Sequence, residues 1–123
     1  MLYTEVMNDN KQFQRCYHRG QCVVSRHVIL YALRNKEGFN RLGITTGKKV
    51  GNAVCRSRAR RIIRAAWREN EMDAPVGLDI VIVARSSITG IGASELGRYL
   101  QRTGIPALHS ICRGEKPGGR QNP

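Results

Sequence analysis

The sequence is poor in acidic residues, long apolar runs and secretory features. The 9 Asp and Glu residues are scattered along the chain, so they offer no cluster of carboxylates for a two-metal hydrolytic site. The longest apolar run extends from Val28 to Leu33, far short of the ~20 residues that a membrane helix needs. The start of the chain lacks the basic and apolar stretches of a secretory signal. A membrane protein and a secreted precursor are therefore not expected.

Cysteine is present without the spacing that metal sites or disulfide scaffolds use. The four cysteines, Cys16, Cys22, Cys55 and Cys112, form no C-x-x-C pair. The three histidines show no ligand spacing either. We interpret the thiols as reduced and mostly buried in a cytoplasmic protein. No metal ion and no small-molecule cofactor is expected to bind to the protein itself.

Positive charge is concentrated in one part of the chain. The 123 residues include 21 Lys and Arg, which gives a net charge of +12. Nine of these basic residues and no acidic residue lie in segment 38–68. A solubilising surface normally mixes both signs, whereas a localised positive block is typical of a protein that binds a polyanion.

Periodicity and turn signals predict one α+β domain over residues 1–112. A first helix is predicted from a cap at Asn8 or Asp9 to about His18, ended by Gly20. Strands are predicted at 23–33, 39–46 and 79–85, the first two able to pair as a hairpin. A short helix follows Ser94, with Leu96, Tyr99 and Leu100 facing inward, and ends at Gly104 and Pro106. Segment 113–123, rich in Gly and Pro, is predicted to be a disordered tail.

An arginine-rich helix is predicted from Asn52, as N-cap, to about Glu69. Helical spacing places Cys55, Ala59, Ile62 and Ala66 on one apolar stripe, with Ile63 and Trp67 at its edge. The remaining face carries Arg56, Arg58, Arg60, Arg61, Arg64 and Arg68. Like charges at i, i+4 and cations at a helix N-terminus both destabilise a helix. Binding to phosphates would offset these costs, and arginine suits bidentate phosphate contacts.

No catalytic constellation is evident. Segment 43–49 has the glycines of a P-loop, but the spacer is one residue short and Lys49 replaces the Ser or Thr that binds magnesium. Lys48 and Lys49 are better explained as a basic approach to the helix N-terminus, where backbone N–H groups can hold a phosphate. Phe13, Tyr17 and Tyr31 belong by default to the core, and the alternative is stacking on unpaired bases.

The chain resembles the bacterial ribonuclease P protein subunit in three ordered motifs: Arg41-Leu42-Gly43-Ile44, then Lys48-Lys49-Val50-Gly51-Asn52-Ala53-Val54, then Arg56-Ser57-Arg58-Ala59-Arg60-Arg61-Ile62-Ile63-Arg64. The resemblance extends over about residues 7–103. It implies an αβββαβα fold with a central mixed sheet and the arginine-rich helix in a left-handed crossover between parallel strands. Crossovers are otherwise right-handed in ~98% of cases, so this sense follows from the resemblance alone.

The resemblance also implies a function. The holoenzyme removes the 5′ leader of precursor tRNA, its RNA subunit is the catalyst and holds Mg²⁺, and the protein is an accessory subunit. The expected partners are that RNA subunit and precursor tRNA. In the family, the leader lies in a cleft between the sheet and the arginine-rich helix.

The family's binding residues carry over by motif. The leader cleft would be lined by Phe13, Tyr17 and Tyr31, with Arg56, Arg60 and Arg64 along its helical wall. Phosphates of the RNA subunit or the cleavage region would be met by Lys48, Lys49, Asn52, Arg58, Arg61 and Arg68. The chain departs from the family pattern at Ser57, Ala65 and Gly47, where the family usually has Asn, Glu or Gln, and a polar residue.

Two other functions remain open from the sequence. A small basic ribosomal or RNA-chaperone-like protein would bind RNA without a processing role, and the order of the motifs argues against it. A nuclease with its own metal site would need several convergent carboxylates, which the sequence does not offer.

Overall fold

A five-stranded mixed sheet organises the computed structural model, which describes residues 4–116. The strands are β1 (Thr4–Val6), β2 (Gln21–Val24), β3 (Val28–Arg34), β4 (Asn40–Thr45) and β5 (Leu78–Ala84). The helices are α1 (Asn10–Arg19), α2 (Ala53–Asn70), α3 (Ala93–Tyr99) and α4 (Ile105–Cys112). The spatial order of the strands is β1-β4-β5-β3-β2. The predicted α+β class and mixed sheet are confirmed.

The α2 helix forms a crossover between two neighbouring strands. It follows β4 and precedes β5, and these two strands pair in parallel, with Leu42 opposite Ile80 and Ile44 opposite Ile82. The other neighbour of β5 is β3, which runs antiparallel to it. The crossover of parallel strands is thus confirmed, while its left-handed sense stays a prediction.

The two faces of the sheet are covered by different helices. Successive side chains of a strand point to opposite faces. On one face Leu30, Ile80 and Ile82 join the main core with the apolar residues of α2, α3 and α4. On the other face Tyr31 and Val81 join a smaller cluster with residues of α1. This division places the arginine-rich helix and the first helix on opposite sides of the sheet.

The predicted strand over 23–33 is wrong, because the segment is two strands joined by a tight turn. The Ser25 hydroxyl donates to the Val28 carbonyl oxygen at 2.6 Å, and the Ser25 backbone N–H donates to the same oxygen at 3.1 Å. These bonds close a turn and make β2 and β3 an antiparallel hairpin. The high content of β-branched residues on both sides concealed the turn.

The expected hairpin between the strands at 23–33 and 39–46 is also wrong. β5 lies between β3 and β4 and pairs with both. The local turn at 35–38 is present, with a positive φ of 62° at Lys36. This turn reverses the chain without pairing the strands on either side of it. The reason is the insertion of β5 (Leu78–Ala84), which begins 40 residues after the turn.

The edge strand β1 was missed by the sequence reading. It pairs in parallel with β4 over three residues and Val6 is exposed, so no alternation of apolar residues signals it. Its Thr4 hydroxyl accepts from the Trp67 indole N–H at 3.1 Å and donates to the Glu71 carboxylate. Glu71 is accordingly buried.

The C-terminal helix does not end at Gly104 and Pro106 as predicted. The chain passes from α3 through a π-helical turn, Leu100–Gly104, into α4. Pro106 lies in the first turn of α4, where a missing N–H is tolerated. A turn follows at residues 113–114, where the Gly114 N–H donates to the Ile111 carbonyl oxygen and the Glu115 N–H to that of Ser110. Residues 117–123 of the predicted tail lie outside the described residues. In residues 4–116, no helix is both long and apolar enough to cross a bilayer.

Candidate nucleic-acid interface

The apolar side of α2 fixes the direction of its arginines. The Asn52 side chain accepts from the Cys55 backbone N–H at 3.0 Å, which confirms the predicted N-cap. Ala59, Ile62 and Ala66 are buried as the stripe predicts. Ile63 and Trp67, expected at the edge of the stripe, are fully buried. Compared with the predicted orientation, the helix is therefore rotated about its axis, so that Ile63 and Trp67 lie at the centre of its interface with the sheet.

The exposed side of α2 carries positive charge that other side chains do not neutralise. Arg61, Arg64 and Arg68 are exposed, and the ion pairs within residues 4–116 include no arginine of α2. Lys48 and Lys49 are exposed in the 3-10 turn that leads into the helix. The residues predicted to meet phosphates are all exposed, namely Lys48, Lys49, Asn52, Arg58, Arg61 and Arg68. Arg64, which was predicted for the wall of the leader cleft, is exposed on the same helix.

Two arginines of α2 have contacts within the protein that the sequence did not reveal. The Arg58 guanidinium donates to the carbonyl oxygens of Thr89 at 3.2 Å and Ile91 at 3.4 Å. The Arg60 guanidinium donates to the Thr46 hydroxyl at 2.8 Å. Arg58 therefore anchors the segment after β5, so its role is structural at least in part.

Phe13, Tyr17 and Tyr31 are brought together at α1. The rings of Tyr17 and Tyr31 meet edge to face, with centroids 5.1 Å apart and an interplanar angle of 82°. Phe13 packs in the same cluster, and all three side chains are half-buried. We call these three residues the aromatic face. Because its rings are neither enclosed nor fully exposed, the aromatic face can support the protein and still present ring surface to a ligand.

A glycine makes room for this arrangement. A Cβ atom on Gly43 would lie 2.5 Å from a ring carbon of Phe13 and 3.2 Å from the sulfur of Met7. Such a separation is too short for carbon atoms in contact. Gly43 is part of the Arg41-Leu42-Gly43-Ile44 motif, and the structure gives it this packing role.

The position of the expected leader cleft requires a correction. The sheet surface that faces α2 is filled by the main core, so no open cleft separates the two. The aromatic face lies on the opposite surface of the sheet, beside α1. Arg60 donates to Thr46, the residue after the Thr45 that contacts Tyr17, whereas Arg56 and Arg64 form no hydrogen bond or ion pair with the residues of 4–116. The alignment of these three arginines with the three aromatic residues stays a prediction.

Burial also affects the acid–base behaviour of the aromatic face. Burial raises the pKa of Tyr31, and the neighbouring Cys22 and Tyr17 add to the effect. A phenol with its ordinary pKa of about 10 is already neutral at physiological pH, so the shift reflects the partial burial of the ring and not a change of its charge.

Arg41, in the first motif of the resemblance, connects β4 to β5 through an ion pair. Its guanidinium contacts the Asp79 carboxylate at 3.2 Å, and the Asn35 amide donates to the same oxygen at 2.9 Å. Asp79 is buried, so its charge depends on these partners. In the sequence, the sign of such a pair is Asp79 itself, a single acidic residue at the start of an apolar strand.

No metal centre forms within residues 4–116, where no three His, Cys, Asp or Glu side chains lie close enough to hold an ion. His27 contacts Glu95, with 3.7 Å between ring nitrogen and carboxylate oxygen, and Ser87, with 2.8 Å between nitrogen and hydroxyl oxygen. The Ser87 hydroxyl donates to the Arg26 carbonyl oxygen, so it is not poised as a nucleophile.

Comparison with known proteins identifies relatives along nearly the whole chain. The family profile described as Ribonuclease P matches residues 1–104. A Ribonuclease P protein component from Lachnoclostridium phytofermentans is 37% identical over 114 residues, covering 93% of this chain and 97% of that protein. The protein of the same name from Brevibacillus brevis is 41% identical over 119 residues, covering 93% and 94%.

Solved structures show the same architecture. The Staphylococcus aureus RNase P protein superposes with a TM-score of 0.72 at 28% identity, covering 88% of this chain and 94% of that one. The Thermotoga maritima RNase P protein gives a TM-score of 0.71 at 23% identity, covering 79% and 92%. The second likeness bears on the fold alone.

Proposed function

Because the chain belongs to the ribonuclease P protein family, we propose that it binds the RNA subunit of a ribonuclease P holoenzyme. In this role it assists a catalytic RNA in removing the 5′ leader of precursor tRNA. The observation that carries the proposal is the exposed row of arginines on α2, which no acidic side chain in residues 4–116 neutralises. Such a row destabilises an isolated helix and is offset by phosphates.

The leader is assigned to the aromatic face rather than to a cleft beside α2. Half-buried rings of Phe13, Tyr17 and Tyr31 offer surfaces on which unpaired bases stack. The RNA subunit is assigned to the other side, where Arg61, Arg64, Arg68 and the two lysines before α2 are exposed. The sheet would then lie between two RNA strands and hold them at a fixed separation.

The chemistry is assigned to the RNA subunit. Mg²⁺ would be held there, since the side chains described here do not form a cluster of ligands for it. The protein's contribution would be to position substrate and to screen phosphate repulsion, which reduces the Mg²⁺ concentration that the RNA needs. We place this activity in the cytoplasm, where its cysteines would stay reduced.

Reconstitution tests the proposal. The purified chain is combined with a bacterial ribonuclease P RNA and precursor tRNA at a Mg²⁺ concentration too low for the RNA alone. We expect leader removal with both components and none with the protein alone. A variant with Arg61, Arg64 and Arg68 replaced by Ala should lose the rescue, whereas Arg113→Ala, which removes an exposed charge at the end of α4, should keep it.

Two outcomes would contradict the proposal. RNA binding without any rescue of cleavage would favour a ribosomal or chaperone-like protein. Leader removal by the repurified protein without the RNA subunit would indicate a nuclease with its own catalytic residues.

A further inference from the structure

A basic cavity lies between the β2–β3 turn and α3. It has a volume of about 300 Å³, and its lining includes Arg26, Arg98 and Arg102 together with Thr103 and the buried His27 and Tyr99. At about 30 Å³ for each water, it can hold a phosphate group with part of its hydration shell. None of its lining residues belongs to α2 or to the aromatic face. We call it the Arg98 pocket.

The β2–β3 turn, which carries Arg26, is held rigidly. The Arg85 guanidinium donates to the Ser25 carbonyl oxygen at 2.9 Å, and the Arg85 backbone N–H donates to the His27 carbonyl oxygen at 2.9 Å. The Ser87 hydroxyl donates to the Arg26 carbonyl oxygen at 2.8 Å. Three successive carbonyl groups are thus engaged, so this side of the pocket exists before any ligand arrives.

The opposite side of the pocket is formed by one face of α3 and the π-helical turn. Arg98 and Arg102 are one helical turn apart, and Arg102 and Thr103 lie in the π-helical turn Leu100–Gly104. Single π-helical turns are rare and occur frequently at functional sites. Here the wider turn carries a guanidinium and a hydroxyl that both line the cavity.

The charges and polar groups in the pocket favour an anion. Arg26, Arg98 and Arg102 take part in no ion pair within residues 4–116. The acid in the lining, Glu95, contacts His27.

We propose that the Arg98 pocket binds a phosphate group of an RNA backbone. This inference rests on the proposed function, and it adds a contact that is separate from α2. Guanidinium groups bind phosphate oxygens with paired N–H donors. The rings in the lining, His27 and Tyr99, are both buried, so no exposed ring is available for a base to stack on. The pocket therefore contributes to affinity and orientation without reading sequence.

The first test removes the two arginines of the α3 side. Affinity of the full chain for the RNA subunit is measured over a range of salt concentrations. Arg98→Ala combined with Arg102→Ala should weaken binding about tenfold and flatten the slope of log affinity against log salt by about 0.7–0.9 for one lost phosphate. Arg113→Ala with Lys116→Ala, which removes the same charge from the exposed end of the chain, should leave the slope unchanged. An equal change in both double variants would overturn the proposal.

The second test raises the affinity instead of lowering it. Glu95→Gln removes the acid from the pocket and preserves its size, so RNA binding should become tighter and its salt slope should stay the same or steepen. Arg98→Lys with Arg102→Lys keeps the charge and should recover most of the affinity. Since neither change creates a cavity, these variants keep the test decisive if the alanine variant fails to fold. Unchanged affinity in Glu95→Gln would count against the pocket.

Inorganic phosphate distinguishes the source of the ligand. It is titrated into the full chain while amide NMR signals of His27 and Thr103 are followed. Shifts in these signals together with an RNA affinity that Arg98→Ala/Arg102→Ala leaves unchanged would indicate a site for free phosphate and overturn the RNA assignment. If Arg61→Ala weakens RNA binding and reconstitution succeeds while the pocket variants behave as wild type, only this inference fails. If reconstitution itself fails, the proposed function fails.

Discussion

The hydroxyl oxygens of Tyr17 and Thr45 lie 2.9 Å apart, which joins α1 to the end of β4. One residue later, the Thr46 hydroxyl accepts a hydrogen bond from the Arg60 guanidinium. Two consecutive threonines therefore connect the aromatic face with the arginine-rich helix. One residue of the aromatic face and one arginine of α2 thus contact adjacent residues of the chain.

The Tyr17–Thr45 pair should contribute measurably to stability. Tyr17→Phe and Thr45→Val each remove one hydroxyl with little change in shape, and the pair is partly buried. A double-mutant cycle in urea should give a coupling free energy of about 0.5–1.5 kcal/mol, the usual contribution of one hydrogen bond. Purely additive effects of the two changes would show that the hydroxyls do not interact in solution.

Arg58 and Arg61 should differ, although they are three residues apart on the same helix. Arg58 donates to two backbone carbonyl groups, so Arg58→Ala should lower the free energy of unfolding by about 1 kcal/mol. Arg61 is exposed, so Arg61→Ala should change it by less than about 0.5 kcal/mol. Arg61→Ala should instead flatten the salt slope of RNA binding by about 0.7–0.9, and more than Arg58→Ala does. The reverse order in either measurement would contradict these assignments.

Local signals predicted most of the helices and strands but not their arrangement. The caps at Asp9 and Asn52 and the buried stripe of α2 follow from short-range patterns, and the structure contains them. The insertion of β5 between β3 and β4 depends on contacts between distant parts of the chain. The strand β1 was missed for a related reason, because a strand of three residues is defined by its contacts with distant residues. These are its pairing with β4 and the hydrogen bond between Thr4 and Trp67.

The candidate site was predicted as a set of residues rather than as a geometry. The basic character of α2 and the grouping of Phe13 with Tyr17 follow from helical spacing. The face of the sheet on which each group lies does not, because it depends on the register of β3 and β5 and on the rotation of α2. The structural role of Arg58 was equally hidden, since its carbonyl acceptors come from a loop about 30 residues away.

Arg41 should be essential for stability. Arg41→Ala would leave the buried Asp79 carboxylate without its guanidinium partner, a loss that typically costs about 3–5 kcal/mol. Glu37→Ala is the matched control, because Glu37 contacts the same guanidinium at 3.6 Å but is about half exposed. It should cost less than about 1 kcal/mol. Similar losses for both variants, measured by urea unfolding, would contradict the importance of the buried pair.

Stability should fall at alkaline pH through Cys16. Burial raises the pKa of this thiol from 9.0 to about 11, with the nearby Asp79 adding to the effect. A group whose pKa is raised by folding contributes stability that is complete below the unfolded pKa. This contribution is lost as the pH rises from about 9 through about 11. The free energy of unfolding is measured for wild type and for Cys16→Ala at each pH. The difference between the two should decrease by about 2 kcal/mol between about pH 8 and about pH 10.5.

Cys22 provides the control for this pH dependence. It is exposed on the edge strand β2, so Cys22→Ala controls for the loss of a cysteine without the loss of a buried side chain. A difference between wild type and Cys16→Ala that does not change with pH would show that the Cys16 thiol ionises as readily in the folded protein as in the unfolded chain.

The leader-length dependence of Tyr17→Ala tests directly whether the aromatic face holds the single-stranded leader. The assembled holoenzyme is titrated with precursor tRNAs whose leaders range from none to about eight nucleotides. Loss of one stacked base corresponds to about 1–3 kcal/mol, or roughly five- to 150-fold in affinity. Tyr17→Phe keeps the ring and is the matched control. A melting curve confirms that Tyr17→Ala stays folded, as expected for a half-buried side chain.

We expect Tyr17→Ala to bind mature tRNA as wild type does and to lose affinity only once the leader is long enough to reach the ring, while Tyr17→Phe follows wild type throughout. An equal loss at every leader length, including none, would show that the aromatic face does not hold the leader.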